Sequence, residues 1–399
     1  MELLLNAIHA SFMLIFNIYL AKLNYLDPVI AEYTSYRYLA VMLAALPVGL
    51  LIKTRKLKPF FVISALTMPV FSMLILIGIE LKINSLMYSG MFLWGASLTL
   101  MQVCALPYIL RVVPSHLHSE AISLNYANYS LATLLVGVVI HWICNDYISL
   151  VGLEIYVNEA VVLMMVCIVG CFAVLFAVKL KEPPLQAIVN AKYLNTNRLK
   201  EYDWRKIIKI LVPTTILASG AGLMIPFINL FFYNVFKMDS DTFSLIGAIA
   251  YCLVFLGAFI VPLIKKNYGY KIAITLIQCI AVACLFAFSF TELVAEYAFA
   301  VHLAVLFFWL RQPLMNIAGP MTNQLTMSYV GKGNQELMAA FHSGIWSGAW
   351  YFSALTFQWL RTMQISYYQI FILTGIFYTI GVFLYYLIIL EFEKEQGQT

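Results

Sequence analysis

The chain has 399 residues, 63% of them hydrophobic and only 11% charged, with a formal net charge of +5. That balance leaves too few polar side chains to cover a water-soluble globule, which excludes a soluble enzyme or binding domain and makes lipid the solvent. The apolar stretches are long and continuous rather than alternating at period two, so a transmembrane barrel is excluded as well and the fold class is all-α integral membrane.

Taken in chain order, turn residues and charges predict twelve spans, near 4–24, 30–52, 59–80, 85–112, 120–143, 155–179, 206–236, 242–264, 271–290, 297–327, 336–360 and 366–390. Met1-Glu2 runs straight into the first span with no basic segment and no small-residue cleavage site, so that span is expected to be retained. It carries a polar stripe at helical spacing: Asn6, His9, Met13, Asn17 and Asn24. A basic loop, Lys-Thr-Arg-Lys-Leu-Lys at 53–58, follows the second span. The fourth adds Gln102 and an internal proline, Pro107. Between the fourth and fifth stand His116, His118 and Glu120, the one cluster that a membrane-embedded transferase would need; the loop is too short for a substrate pocket, and the chain is read as no enzyme.

The longest polar stretch, 179–206, divides the chain into an N-terminal half (1–178) and a C-terminal half (207–399). In the seventh span Thr215, Ser219, Gly222, Pro226, Asn229 and Tyr233 repeat the polar spacing of the first. The tenth holds Arg311, the one basic residue expected deep in a span, where arginine is disfavoured by about 3 kcal/mol on insertion scales. Gln312, Asn316, Gly319 and Asn323 form a narrow stripe with Arg311 at its edge, and Pro313 and Pro320 break the backbone ladder beside it. An arginine so placed either offers its planar fork of donors to an anionic group of a solute or locks helices together through carbonyl, Tyr or Asn oxygens. For proton coupling the expected groups are His9, on the polar stripe, and His342, one turn before Trp346. The seven cysteines show no paired spacing and read as small core residues, with no metal site expected, and no nucleotide or cofactor motif is present.

Eighteen of the 24 Lys and Arg residues fall in the loops 53–58, 111–119, 179–209, 265–271 and 331–335 and in the C-terminal tail, against Lys22, Arg37, Lys82, Lys237 and Arg361 on the other side. The positive-inside rule then puts both termini in the cytoplasm, with a bacterial inner membrane as the expected location. The net charge is thus a topology signal and not a nucleic-acid footprint.

The halves also align with each other. Phe16-Asn17-Ile18-Tyr19 falls on Ile228-Asn229-Leu230-Phe231, Asp27 on Asp239, Leu51-Ile52-Lys53 on Leu263-Ile264-Lys265 and, one short shift later, Glu120 on Glu336. Two six-helix halves in the same orientation are parallel repeats. With Gly49-Leu-Leu-Ile-Lys53-Thr-Arg55-Lys56-Leu-Lys58 after the second span and Pro262 to Lys271 after the eighth, the chain resembles the major facilitator superfamily over essentially its whole length. The first of these loops lacks the acidic member of that family's signature. Ser130 to His141, with one glycine and no proline, departs from its antiporter motif.

The resemblance implies that helices 1, 4, 7 and 10 line a central cavity. Substrate contacts are then expected from Arg311, Gln312, Asn316, Asn323, Asn17, Asn229, Gln102 and Tyr233. It further implies a secondary transporter, active or facilitative, for a small polar or anionic organic solute moved by alternating access, with the lipid bilayer and a coupling proton or cation as its partners. Export of drugs, siderophores or metabolites by proton antiport is the alternative.

Overall fold

The structure is a computed structural model that describes residues 1–52, 55–150, 153–182, 202–331 and 334–397. Most of the expected 179–206 linker, Lys53 of the first basic loop and Lys332 of a later one lie outside the described residues.

α1 (Glu2–Lys22) is helical from its second residue but widens into a π turn at Phe12–Phe16 before resuming at Asn17. A π turn takes in about one more residue than an α turn, so Asn17 is rotated off the line of Asn6 and His9 that a straight helix predicts. Asn24 belongs to the turn after α1 and not to its polar stripe. Its φ of 65° is left-handed backbone, which asparagine tolerates better than most residues.

α2 (Asp27–Ile52) opens on Asp-Pro, a proline at a first-turn position where its missing N–H costs nothing. α3 (Lys58–Glu80), α4 (Asn84–Val112) and α5 (His118–Ile143) follow. The sixth span was expected from 155. Instead β1 (Asp146–Leu150) pairs antiparallel with β2 (Leu153–Val157), and α6 (Glu159–Val178) starts beyond them. The reason is local: Asn158 caps the helix, its side-chain oxygen accepting from Val161 N at 3.0 Å, so the β-branched residues before it stay extended.

In the second half α7 (Trp204–Phe236) passes through a 3-10 turn at Ile225–Phe227, where Pro226 removes a donor. α8 (Ser240–Tyr270) ends at Gly269, whose φ of 70° breaks the helix before α9 (residues 271–294). α10 (Phe299–Val330), α11 (Gln335–Thr362) and α12 (Tyr367–Gly397) complete the fold. Ten of the twelve helices among the described residues are long and apolar enough to cross a membrane. In α5 the apolar stretch among the described residues is Ala127–Ile143. α11 is diluted by polar residues such as His342, Gln358 and Arg361.

The chain packs as two compact units. The first holds α1 to α6, the β1–β2 pair and Phe232–Ala248 from the end of α7 and start of α8; there α4 lies along α2 and α3, and α1 packs on α5 and α6. The α2–α4 contact depends on Gly95, because a Cβ there would stand 2.4 Å from the Arg37 carbonyl oxygen. At the α2–α3 junction a carboxylate from beyond α6 meets the loop end. Glu182 accepts from Leu57 N at 2.8 and 2.9 Å and Lys58 N at 3.1 Å, capping α3, and pairs with Arg111 at 3.1 Å. Arg111 in turn donates to the Ile52 carbonyl at the end of α2 and to the Arg55 carbonyl beyond it.

In the second unit α11 and α12 pack on α7, and α9 on α10 and α12. Its core is aromatic: Phe227 stacks on Phe357 at 3.9 Å, and Phe231 meets Phe288 and Phe371.

Candidate functional site

Arg311 is placed by α10 and is 1% exposed, one of the largest fully buried side chains. Its Nη1 donates to the Gln312 Oε1 at 3.1 Å and its Nη2 to the Tyr378 hydroxyl on α12 at 3.2 Å, while Nε has no partner. The guanidinium carbon lies 5.7 Å from the Tyr378 ring centroid. Among the described residues no carboxylate pairs with it. A guanidinium has five N–H donors, so two neutral oxygens leave both its charge and part of its donor set uncompensated.

Asn316, exposed, closes on the Gln312 carbonyl at 2.8 Å. Asn323 stands two turns further on, half-buried. Thus Arg311, Gln312 and Asn316 form one connected group, and Tyr378 is the member the sequence did not disclose.

A second buried arginine is Arg37, which the charge count places with the basic residues on the other side. It sits about three turns inside α2 and is 4% exposed. Its Nη1 donates to the Met13 sulfur at 3.2 Å and its Nη2 to the Tyr38 hydroxyl. The guanidinium also lies over the rings of Tyr38, at 4.4 Å, and Trp94, at 5.1 Å. Again no carboxylate faces it among the described residues. His9 edges onto Trp94 at 5.9 Å and tilts against Tyr129 at 5.2 Å, and both its Nδ1 and the Trp94 indole nitrogen are buried without a hydrogen-bond partner. Met13 belongs to the π turn of α1, so the irregular backbone aims a side chain at this arginine.

Asn17 and Asn229 are buried, and Asn229 accepts from Leu230 N at 2.9 Å just after the 3-10 turn of α7. Gln102 is exposed and Tyr233 half-buried. His342 accepts from the Trp346 indole at 3.2 Å through Nε2, a bond that a proton on that nitrogen would displace. His116 is exposed, and the side chains of His118 and Glu120 lie outside the described residues. Cysteines 104, 144 and 167 are buried, but Cys171 and Cys279 are exposed, so the core reading does not extend to them. Burial pushes the Cys144 thiol, just past α5, up to about 12, which keeps it protonated and unreactive. No group of three His, Cys, Asp or Glu among the described residues is placed to hold a metal ion.

The family model described as Major Facilitator Superfamily matches residues 4–355. No curated protein matches the chain in sequence. Among solved structures, a variant of the nucleoside transporter NupG superposes with a TM-score of 0.76 at 11% identity, covering 97% of both chains. A D-xylose-proton symporter superposes at 0.73 with 15% identity, over 96% of this chain and 94% of that one. A bacterial homologue of the iron transporter ferroportin does so at 0.71 with 10% identity, over 97% and 96%. At these identities the likeness is one of fold.

Proposed function

The chain belongs to the Major Facilitator Superfamily and is a multi-pass membrane transporter, and we propose that its cargo is a small organic solute bearing an anionic group, moved by alternating access. The observation that carries this reading is Arg311, buried at 1% exposure with neutral partners alone and an unmatched Nε. Leaving a charge unpaired at that depth costs several kcal/mol by general estimates, and an oxyanion satisfies both the charge and the idle donor. Gln312 and Asn316 then orient the polar part of the solute, with Asn17, Asn229, Asn323, Gln102 and Tyr233 as further contacts.

None of the solutes in the names of the fold neighbours, a nucleoside, D-xylose and iron, is an organic anion, and this chain's two buried arginines set a different demand. We further propose halves 1–178 and 207–399 joined by the 179–206 segment, cytoplasmic termini in a bacterial inner membrane, and His9 and His342 as proton-coupling groups. The test is a thermal-unfolding screen of the purified protein against organic anions, sugars and nucleosides, followed by counterflow of the hits in liposomes. Anions should stabilise the wild type and lose most of that effect in Arg311→Met. Stabilisation by neutral solutes alone, or an equal anion response in the variant, overturns the reading.

A further inference from the structure

We propose that Arg37, Trp94 and His9 form an oxyanion-recognition site within the first unit, which takes the carboxylate or phosphate oxygens of the solute. The inference rests on the reading of the cargo as an organic anion and adds a site to it. Its basis is a local surplus of donors. Arg37 spends its two hydrogen bonds on a thioether sulfur, a weak acceptor, and on one phenol. Trp94 can only donate, and its indole N–H is buried with nothing to accept it. His9 Nδ1 is buried nearby, also without a hydrogen-bond partner, and is a further donor in the tautomer that places the proton there.

Three idle or poorly used nitrogens around one desolvated cation ask for several acceptor lone pairs and one negative charge. Among biological groups, carboxylate and phosphate oxygens provide both. A helix-to-helix lock would join Arg37 to carbonyl, carboxylate, Tyr or Asn oxygens of another helix, whereas the one oxygen it is seen to reach among the described residues is the hydroxyl of Tyr38, its neighbour on α2.

The site is also positioned rather than loose. Gly95 allows α4 to meet the Arg37 backbone directly, which sets Trp94 beside the guanidinium. Phe12, in the π turn, holds the other side of Trp94 at 4.9 Å. Wide turns of this kind recur at functional positions because they re-aim side chains and loosen the backbone ladder. His9 is half-buried, the least buried member of the cluster.

The experiment uses the full chain in detergent, with thermal unfolding followed against benzoate, inorganic phosphate and uridine for the wild type, Arg37→Met, Trp94→Phe and Arg311→Met. Benzoate or phosphate should raise the wild-type Tm saturably, and the better of the two identifies the oxyanion. Arg37→Met, which replaces an unpaired buried charge by an apolar chain of similar length, should unfold at the same or a higher temperature without ligand. Its half-saturating anion concentration should rise roughly tenfold or more. Trp94→Phe keeps a ring and loses the N–H, and should raise that concentration by a smaller factor.

A lower ligand-free Tm in Arg37→Met with an unchanged anion response makes Arg37 a structural lock and overturns the inference. Anion responses that vanish in Arg311→Met but persist in both Arg37→Met and Trp94→Phe overturn the inference alone and leave the anion reading standing. A wild type that responds to no anion, whether or not uridine shifts it, overturns both. If Arg37→Met does not fold, Trp94→Phe decides, and an unchanged anion response there overturns the site.

Discussion

Arg311 and Tyr378 show how a buried charge is carried when no counter-ion is at hand. Tyr378 is fully buried and its hydroxyl is one of two oxygens the guanidinium reaches, so Tyr378→Phe should destabilise the protein by about 1–3 kcal/mol, the cost of leaving a buried donor unmatched. The same substitution made in Arg311→Met should cost far less, because the donor is gone. Thermal unfolding of the four proteins measures the coupling, and additive effects would show that the bond carries no weight.

Arg311 was legible in the sequence because it interrupts a run of Phe, Trp and Leu. Arg37 was not. Its neighbours in Ala-Glu-Tyr-Thr-Ser-Tyr-Arg-Tyr are polar enough to read as an interfacial segment, and only the length of the helix that starts at Asp27 places it deep inside. The signal available was positional, about three turns past an Asp-Pro start. Trp94 and Tyr378 carried no signal, since each is one aromatic among many and its role depends on the helix packed against it.

At the scale of elements, α1 and α7 are interrupted at matching places. The π turn of α1 ends just before Asn17 and the 3-10 turn of α7 lies just before Asn229, and these asparagines align in the internal repeat. Pro226 announced the second interruption; nothing in Phe12–Phe16 announced the first, because a π turn is a packing response and not a composition.

The α2–α3 junction teaches the same lesson about distance along the chain. Its loop lacks the acidic member of the family signature, and the carboxylate found there is that of Glu182, more than 120 residues later. Its carboxylate is 3% exposed and serves Leu57 N, Lys58 N and Arg111 together. Glu182→Ala should therefore destabilise the first unit by about 3 kcal/mol, the low end for breaking a buried pair, because Arg111 keeps two carbonyl acceptors. Glu182→Gln, which retains one acceptor for the helix cap, should lie between the two in Tm. Equal Tm values for all three proteins would assign the cap no role.

For the whole molecule, the burial of Arg37 sharpens the charge asymmetry from which orientation follows. Removing it from the count leaves Lys22, Lys82, Lys237 and Arg361 on the side opposite the eighteen basic loop and tail residues. Two of these four are already tied to the protein: Lys22 pairs with Glu159 at 2.7 Å and Asp239 at 3.0 Å, and Arg361 donates to the Ile365 carbonyl at 2.6 Å. Pairing does not separate the two sides, since Arg111, Lys206 and Lys209 among the eighteen are ion-paired as well, and the expected orientation rests on the eighteen-to-four count itself, because the rule is one of Lys and Arg number and not of net charge.

A fluorescent protein fused after Thr399, or inserted in the 183–201 segment, should therefore fold and fluoresce in a bacterial host. Alkaline phosphatase fused after Lys237 should be active, and the same enzyme fused after Lys200 inactive. The opposite pattern would invert the topology while leaving the helices intact, since orientation is decided by loop charge and helix formation by the apolar runs between. An insertion of lysines beside Lys82 should weaken the pattern before it alters any helix, because the two controls act on different parts of the chain.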